Sequence, residues 1–258
     1  MKQSRASALL SKGEKMKNLI LFALVLFVNA CTNETKAEQS TEIHSAGSVV
    51  LTFDDGSVLD TIYENHYLFD AYGAKFTYFV SHYEDSMIDR LIEMQNKGHE
   101  IAHHTALHRD AVKYVDSNGI RGWLSDEVLR QLFKMREDGL FIDSFAYPFG
   151  SRNATTDSAL KPYFKKIRWS GVSKFNYVEG YENDNYLYYS VTIDSYWLKE
   201  SLFDEITNAC KTGKDLVLIA HAISDNWPSA YYITPDNVNR ILSHAYNNGC
   251  QFKTMREL

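Results

Sequence analysis

Four of the nine histidines in this sequence fall within ten residues, from His99 to His108. His104 and His108 are four residues apart, so one helical turn would bring both imidazoles to the same side. His99 and His103 instead flank a short strand-like run, and an extended chain would hold their rings far apart. We therefore expect His104 and His108, but not His99 and His103, to act together as ligands.

A pair of carboxylates, Asp54-Asp55, offers a third ligand. Two imidazoles and one carboxylate form the N,N,O ligand set of a catalytic zinc-type site with open coordination positions. If Asp55 binds the metal, Asp54 is free to act as the general base toward a water whose pKa the metal has lowered. Asp-Gly is also a common turn signal, so Asp54-Asp55-Gly56 alone would indicate no more than a turn.

His221 ends a fully apolar run, Leu216–Ala220. In the same site this imidazole could protonate the departing amine or alcohol. The alternative is a buried histidine bonded to the backbone.

Apolar runs alternate with helical patterns after residue 47, which indicates parallel βα units. Seven runs predict strands, and Phe252–Thr254 predicts an added edge strand; the seven are Ser48–Phe53, Lys75–Val80, Glu100–Ala102, Ser144–Tyr147, Lys166–Trp169, Tyr188–Ile193 and Leu216–Ala220. Helical spacing covers Val58–Tyr72 and Ile88–Met94. Ser125-Asp126-Glu127 predicts the N-cap of a further helix that contains Val128, Leu129, Leu132 and Phe133.

Polar residues follow five of these predicted strands directly. They are Asp54-Asp55, His103-His104, Pro148-Phe149-Gly150, Asp194 and His221. The carboxyl ends of the strands of a parallel barrel open onto one face, where such folds build active sites. We therefore expect these residues to meet at one site.

The motifs resemble the polysaccharide deacetylases of carbohydrate esterase family 4, the NodB homology domain. Thr52-Phe53-Asp54-Asp55-Gly56 matches the first motif of that family, and His104-Thr105-Ala106-Leu107-His108 matches the second. The other motifs correspond to Tyr147-Pro148-Phe149-Gly150 in part, Asp194-Ser195-Tyr196-Trp197 loosely, and Ile219-Ala220-His221. The resemblance covers residues 47–258 and implies one domain, a distorted (β/α) barrel of about seven parallel strands.

The resemblance also implies roles for individual residues. Asp54 would be the general base, and Asp55, His104 and His108 would bind one divalent metal ion, zinc first, with cobalt, nickel or manganese as alternatives. His221 would be the general acid, oriented by Asp194. The residues that would contact the substrate are Pro148, Phe149 through its backbone N–H at the oxyanion, Ile219 at the acetyl methyl, and Trp197.

Ala146 departs from the family, because many members have an arginine at this position of the third motif. That arginine would orient the general base and keep it ionised. Arg168 is the expected substitute, since it lies near the end of the strand that should neighbour the fourth. The alternative is that Arg168 is a surface cation on a strand edge, in which case Arg152 is the next candidate.

The first 46 residues are expected to lie outside the domain. Lysines and an arginine precede the apolar run Leu19–Val28, which is typical of a secretory signal over residues 1–30. Val28-Asn29-Ala30-Cys31 resembles a bacterial lipobox, so a lipidated Cys31 would hold the protein at a bacterial membrane, an outer membrane by preference, facing the periplasm or the cell surface. The polar residues 31–46 would form a tether. The alternative is a plain cleaved signal. Cys210 and Cys250 are expected to be buried free thiols, and a disulfide between them is the alternative.

The composition narrows the classes of partner. The formal net charge is −6 and no basic cluster is present, which argues against nucleic acid as a partner. We expect a monomer that hydrolyses acetyl groups, N- or O-linked, on a carbohydrate polymer or oligosaccharide. Two other functions stay open: a catalytically silent carbohydrate-binding lipoprotein, and a metal-dependent amidase acting on a non-sugar amide. Aromatic residues beside the groove would favour sugar, with Trp197, Trp227, Tyr231 and Tyr232 as candidates.

Overall fold

Seven parallel strands close into a barrel in the computed structural model, which describes residues 46–170 and 186–258. The strand order is β1-β2-β3-β4-β5-β6-β7, and β7 pairs back onto β1 to close the ring. The strands are β1 (Ser48–Asp54), β2 (Phe76–Val80), β3 (Glu100–His103), β4 (Ser144–Ala146), β5 (Lys166–Ser170), β6 (Leu187–Thr192) and β7 (Asp215–Ala220). This confirms the predicted (β/α) barrel.

Helices lie between most successive strands, on the outside of the barrel. They are α1 (Leu59–Asn65), α2 (Ile88–Asn96), α3 (Ala111–Trp123), α4 (Arg130–Glu137), α5 (Ala154–Leu160), α6 (Ser201–Thr212) and α7 (Pro235–Asn247). A small parallel pair, β8 (Ala222–Ile223) and β9 (Tyr232–Ile233), follows β7. The edge strand is β10 (Gln251–Phe252), which pairs with Ser48 and Val49 of β1. None of the helices in the described ranges is long and apolar enough to span a membrane.

Alternate residues of each strand divide the core into two parts. Val49, Leu51 and Phe53 of β1 face outward and pack in the larger cluster with the helices. The inward residues form a smaller cluster, which consists of Val50, Phe79, Ala102, Ala146, Val217 and Met255. Because both faces are buried, the strands are continuous apolar runs, as the sequence suggested.

Two local predictions were wrong. No helix starts at Ser125, because this residue already lies inside helical backbone. That backbone follows a break in α3 at Gly119, which has φ of 72°. The first part of α3 begins at Ala111, where the Asp110 side chain accepts a hydrogen bond from Lys113 N at 3.1 Å. Residues Leu124–Leu129 form a π-helical turn that joins α3 to α4. Cys210 and Cys250 form a disulfide rather than free thiols, because α6 and α7 pack together and bring the two Cα atoms within 4.7 Å. The predicted signal, Cys31 and residues 32–45 of the tether lie outside the described residues.

Candidate active site

The predicted site residues meet at the carboxyl ends of the barrel strands. Asp54 ends β1, His104 follows β3, Asp194 follows β6 and His221 follows β7. Every second side chain of a strand points to the same face. Asp54, four residues after Val50, and His221, four residues after Val217, therefore point into the barrel. These residues are up to 167 positions apart in the sequence. The fold brings them together at the end of the barrel where the strands finish, which we call the barrel mouth.

Three of these side chains converge as ligands would. Asp55 Oδ1 lies 3.2 Å from His108 Nε2 and 3.6 Å from His104 Nε2. One ligand atom of each residue lies within 4.8 Å of the other two. Within the two described ranges, this is the one cluster of histidine, cysteine and carboxylate side chains with such geometry.

The loop between His104 and His108 is not the helical turn that the sequence suggested. Thr105 and His108 have left-handed backbone conformations, with φ of 62° and 53°. These two reversals, rather than an α-helical i,i+4 spacing, bring the imidazoles to a centroid distance of 4.9 Å. The pairing was predicted correctly and its cause was not.

The three residues fit a divalent ion. His104 Nδ1 donates to the carbonyl oxygen of Ala146 at 2.9 Å, which leaves Nε2 unprotonated and directed at Asp55. Burial lowers the pKa of His104 to about 4, against the opposing charges of Asp54 and Asp55, so the ring is neutral as a ligand must be. Asp55 Oδ1 is buried without a hydrogen-bond partner among the described residues. A cation would satisfy that oxygen.

Arg168 holds Asp54 from β5. Its Nη2 donates to Asp54 Oδ2, and its Nη1 donates to Ser190 Oγ at 2.9 Å. The guanidinium is fully buried and stacks over the Phe79 ring at 4.9 Å. The contact with Asp54 is the one expected from the sequence, and the surface-cation alternative is wrong.

Arg168 also sets the charge of Asp54. Burial would raise the pKa of this carboxyl, but Arg168, with smaller effects of His104 and His221, holds the pKa below its usual value of 3.8. Asp54 is therefore ionised at neutral pH although its side chain is buried. Its Oδ1 has no hydrogen-bond partner among the described residues, and this oxygen is free to accept a proton.

His221 and the buried Asp194 form a second pair at the mouth. His221 Nδ1 lies 2.8 Å from Asp194 Oδ2, and the His221 backbone N–H donates to Asp194 Oδ1 at 3.0 Å. Burial would lower the pKa of His221, but the hydrogen bond and charge of Asp194 raise it above 6.5. With Nδ1 donating to Asp194, Nε2 is the nitrogen available to a substrate.

Pro148, Phe149 and Ile219 are also placed near the mouth. Pro148–Gly150 forms a 3₁₀ turn after β4, and Phe149 has φ of 58° and a ring 71% exposed that lies 4.7 Å from the His108 ring. A side chain at Gly150 would collide with the Ser170 carbonyl oxygen, so this turn requires glycine. Ile219 is buried on the inward face of β7, two residues before His221.

Aromatic rings extend outward from His221. The Tyr231 ring lies 5.0 Å from His221 and 5.3 Å from Trp197, and Tyr196 lies 5.1 Å beyond Trp197. Tyr196 is 78% exposed and Tyr231 is 51% exposed. The other two aromatic candidates, Trp227 and Tyr232, pack against the larger of the two core clusters.

Arg152 and the other two histidines of residues 99–108 lie apart from the cluster of Asp55, His104 and His108. His99 is buried and stacks on Phe76 at 3.8 Å, and His103 is buried and accepts from Thr105 N at 3.1 Å. Burial lowers the pKa of each to about 3. Arg152 pairs with Asp157.

Two residues that support the site were missed. Ser190 on β6 accepts from Arg168, and its inward position follows only once the strand register is known. Glu127 bonds to the loop that carries the histidines, whereas its sequence context suggested only a helix cap.

Comparison with known proteins agrees with this fold. The family model for polysaccharide deacetylases matches residues 41–163. This segment belongs to the polysaccharide deacetylases. The match contains Asp54, Asp55, His104 and His108, and it makes the protein an enzyme of this hydrolase class. The curated proteins contain no match to the chain.

Solved structures of deacetylases share the fold. The peptidoglycan deacetylase PdaC from Bacillus subtilis superposes with a TM-score of 0.55 at 17% identity, over 82% of this chain and 89% of that one. The chitin deacetylase from Colletotrichum lindemuthianum gives 0.54 at 16% identity, over 83% and 87%. A family 4 carbohydrate esterase from Streptomyces lividans gives 0.53 at 18% identity, over 80% and 91%.

Proposed function

We propose that this polysaccharide deacetylase hydrolyses N- or O-linked acetyl groups on a carbohydrate polymer or oligosaccharide, with one divalent metal ion as cofactor. The observation that carries the proposal is the convergence of Asp55, His104 and His108, with the buried Asp54–Arg168 pair and the His221–Asp194 pair at the same barrel mouth. Three ligands, one base and one acid are what hydrolysis of an acetyl group requires.

The metal ligands and the base would act together in the first half of the reaction, the attack of water on the acetyl carbonyl. A divalent ion held by Asp55, His104 and His108 would supply a Lewis acid that polarises the acetyl carbonyl and lowers the pKa of the attacking water. Asp54 would accept the proton of that water as its oxygen bonds to the carbonyl carbon. Arg168 serves this step by keeping Asp54 ionised and fixing its orientation.

His221 would complete the reaction as the general acid. The bond between the carbonyl carbon and the sugar nitrogen or oxygen breaks, the leaving atom takes a proton from His221 Nε2, and acetate is released. Asp194 favours the protonated imidazole that this step needs. The backbone N–H of Phe149 would donate to the oxyanion, and Pro148 and Ile219 would shape the pocket for the acetyl methyl.

The exposed rings support a sugar as the substrate. Tyr231, Trp197 and Tyr196 continue from His221, and the exposed Phe149 lies beside His108. Exposed aromatic faces on both sides of a polar centre suit pyranose rings better than a small amide. A non-sugar amidase would have no use for an aromatic surface that extends this far from the centre.

A catalytically silent carbohydrate-binding protein is the other candidate, motivated by the loss of arginine at Ala146. Arg168 weakens that alternative, because the buried guanidinium restores the contact that Ala146 cannot make. A binding protein would need neither an ionised base nor a histidine whose pKa is raised.

Acetate release tests the function directly. The purified protein would be incubated with acetylated xylan, chitin oligosaccharides, peptidoglycan fragments and simple amides, with and without a chelator. We expect release from at least one glycan, its loss with chelator, and its recovery with Zn²⁺ or Co²⁺. Asp54→Asn should bind metal but lose about 10²–10⁴-fold in rate. Release from simple amides alone would favour the amidase, and binding of a glycan without any release would favour the silent protein.

The sequence further supports a lipoprotein. Cys31 would be acylated after cleavage at residue 30, so that the tether of residues 31–46 holds the enzyme at a bacterial membrane. Mass spectrometry of the mature N-terminus would reveal two or more acyl chains on Cys31. An unmodified N-terminal residue would contradict the anchor and leave the hydrolase proposal intact.

A further inference from the structure

Glu127 lies on the π-helical turn Leu124–Leu129, where the α3–α4 segment passes the proposed metal site. π-turns are rare, and they occur frequently at functional sites. The side chain of Glu127 is fully buried, although it carries a carboxylate. A buried carboxylate is costly unless its hydrogen bonds are satisfied, so its contacts identify what it is there to hold.

Those contacts lie on the loop between His104 and His108. Glu127 Oε2 accepts from the backbone N–H of Leu107 at 3.0 Å, and the Glu127 carbonyl oxygen accepts from Ala106 N at 2.8 Å. Glu127 Oε1 lies 3.4 Å from Nε of Arg109, the residue after His108. One residue thus contacts three of the positions that surround His108, from 18 to 21 places away along the chain.

The loop needs such support because its backbone is strained. Thr105 and His108 both have positive φ, which costs on the order of 1 kcal/mol or more for residues other than glycine. Such conformations persist only where the surroundings hold them. Thr105 N–H is held by His103 Nδ1, and the next two N–H groups are held by Glu127.

We infer that Glu127 is a positioning residue of the metal site: by accepting from Leu107 N–H it fixes the loop conformation that sets the distance between the His104 and His108 nitrogens. The inference rests on the metal site of the proposed function. Glu127 forms no hydrogen bond or ion pair with Asp55, His104 or His108, and it acts through the backbone of the loop. Without the acceptor, a partly buried N–H next to His108 loses its partner, and the imidazole is no longer held 3.2 Å from Asp55 Oδ1.

Three variants separate hydrogen bonding from bulk. Glu127→Met keeps the length and removes the acceptor. Glu127→Gln keeps an amide oxygen that can accept from Leu107 N–H. Glu127→Asp keeps the charge but shortens the side chain by one methylene, which withdraws the acceptor and serves as a second test if the methionine variant does not fold.

Glu100 offers a matched control. It is a buried glutamate of β3, at the opposite end of that strand from His103, and it accepts from Thr77 Oγ1, Ser144 Oγ and Arg256 N. Glu100→Met therefore also strands several buried donors. It does so at the closed end of the barrel, away from the loop of residues 104–108.

The measurement is the titration of each full-length protein with Co²⁺, followed by visible absorption and by calorimetry. We expect Glu127→Met and Glu127→Asp to weaken Co²⁺ binding about 10- to 100-fold and to alter the absorption band. Glu127→Gln should restore both affinity and band, and Glu100→Met should lower the melting temperature while leaving both unchanged. An unchanged affinity and band in folded Glu127→Met, or an equal loss in Glu100→Met, would overturn the inference.

These readouts are independent of the proposed reaction. If the unmodified protein binds Co²⁺ but releases acetate from no glycan, the proposed function fails and the role of Glu127 can still be measured. If the unmodified protein binds no Co²⁺, the metal site fails and the role of Glu127 is overturned with it.

Discussion

Arg168 and Ala146 are direct lateral partners on the neighbouring strands β5 and β4, with both side chains on the inner face of the barrel. From this position on β5, the Arg168 guanidinium reaches Asp54 at the end of β1. Ala146 contributes its carbonyl oxygen, which accepts from His104. This relation gives the first prediction.

We expect Arg168→Ala to lower kcat about 10- to 100-fold with little change in KM, because a charge-assisted hydrogen bond to the base contributes about 1.5–3 kcal/mol. The variant should also be less stable, since Asp54 remains buried without its partner. Steady-state kinetics of acetate release and thermal melting would measure both effects. The double variant Ala146→Arg/Arg168→Ala should recover part of kcat. A single variant with full kcat would contradict the positioning role.

A second prediction concerns the metal. His108→Ala should lose the divalent ion, because one of three ligands is removed, whereas His99→Ala should retain it despite the loss of a buried ring. Elemental analysis of both purified variants would distinguish them. In the unmodified protein, metal at 100 times its Kd should raise stability by about 2.7 kcal/mol, visible as a higher Tm than with chelator. Loss of metal from His99→Ala alone would reverse the assignment.

The pH dependence of the rate should reveal the His221–Asp194 pair. A general acid must be protonated, so activity falls as pH rises through the pKa of His221, which Asp194 raises. Asp194→Asn removes that charge, lowers this pKa and should move the alkaline limb of the kcat/KM profile toward lower pH. Asp215→Asn, at the other end of the barrel beside Lys253, should leave the limb in place. An unshifted limb in Asp194→Asn would assign the alkaline limb to another group.

The disulfide allows a prediction of stability. Cys210 and Cys250 are 40 residues apart, and closing a loop of that length stabilises a protein by about 4 kcal/mol in the chain-entropy description. Cys210→Ser/Cys250→Ser should lower the free energy of unfolding by roughly that amount, and reduction of the unmodified protein should have a similar effect. Urea unfolding measures both. Equal midpoints before and after reduction would mean that the thiols are not joined.

The strands were predictable from their apolar runs, and the meeting of Asp55, His104 and His108 was predictable from their residue types and their positions after strand ends. Seven apolar runs predicted the strands of the barrel, and the polar residues after five of those runs predicted where the site lies. The backbone at the site was not predictable, since Asp55, Thr105, His108 and Phe149 all have positive φ without being glycine. The residue types at these four positions do not predict a positive φ, because contacts with residues distant in the sequence stabilise the conformation.

Contacts between distant elements account for the other errors. Ser125-Asp126-Glu127 has the composition of a helix cap, but these residues lie within the π-turn, from which Glu127 contacts the loop that carries His104 and His108. Likewise, the spacing of Cys210 and Cys250 carries no information about pairing until α6 and α7 are known to pack together.

The last prediction concerns the rings beside His221. Tyr231→Ala should reduce kcat/KM on an acetylated oligosaccharide about tenfold, because one aromatic contact contributes about 0.5–1.5 kcal/mol beyond its buried area. On an acetylated monosaccharide the loss should be smaller, since a single sugar at the metal centre need not reach Trp197 and Tyr196 beyond Tyr231. Rates on a series of increasing chain length would measure this difference.

Tyr246 is the matched control for Tyr231. It is 58% exposed, but it lies on α7 and contacts Tyr72, away from the barrel mouth. Tyr246→Ala should leave the dependence on chain length intact, which separates loss of a sugar contact from a general effect of removing a surface ring. If Tyr231→Ala reduces the rate equally on the monosaccharide and the oligosaccharide, the ring acts on His221, 5.0 Å away, rather than on the sugar chain. The aromatic surface would then carry no argument for a polymeric substrate.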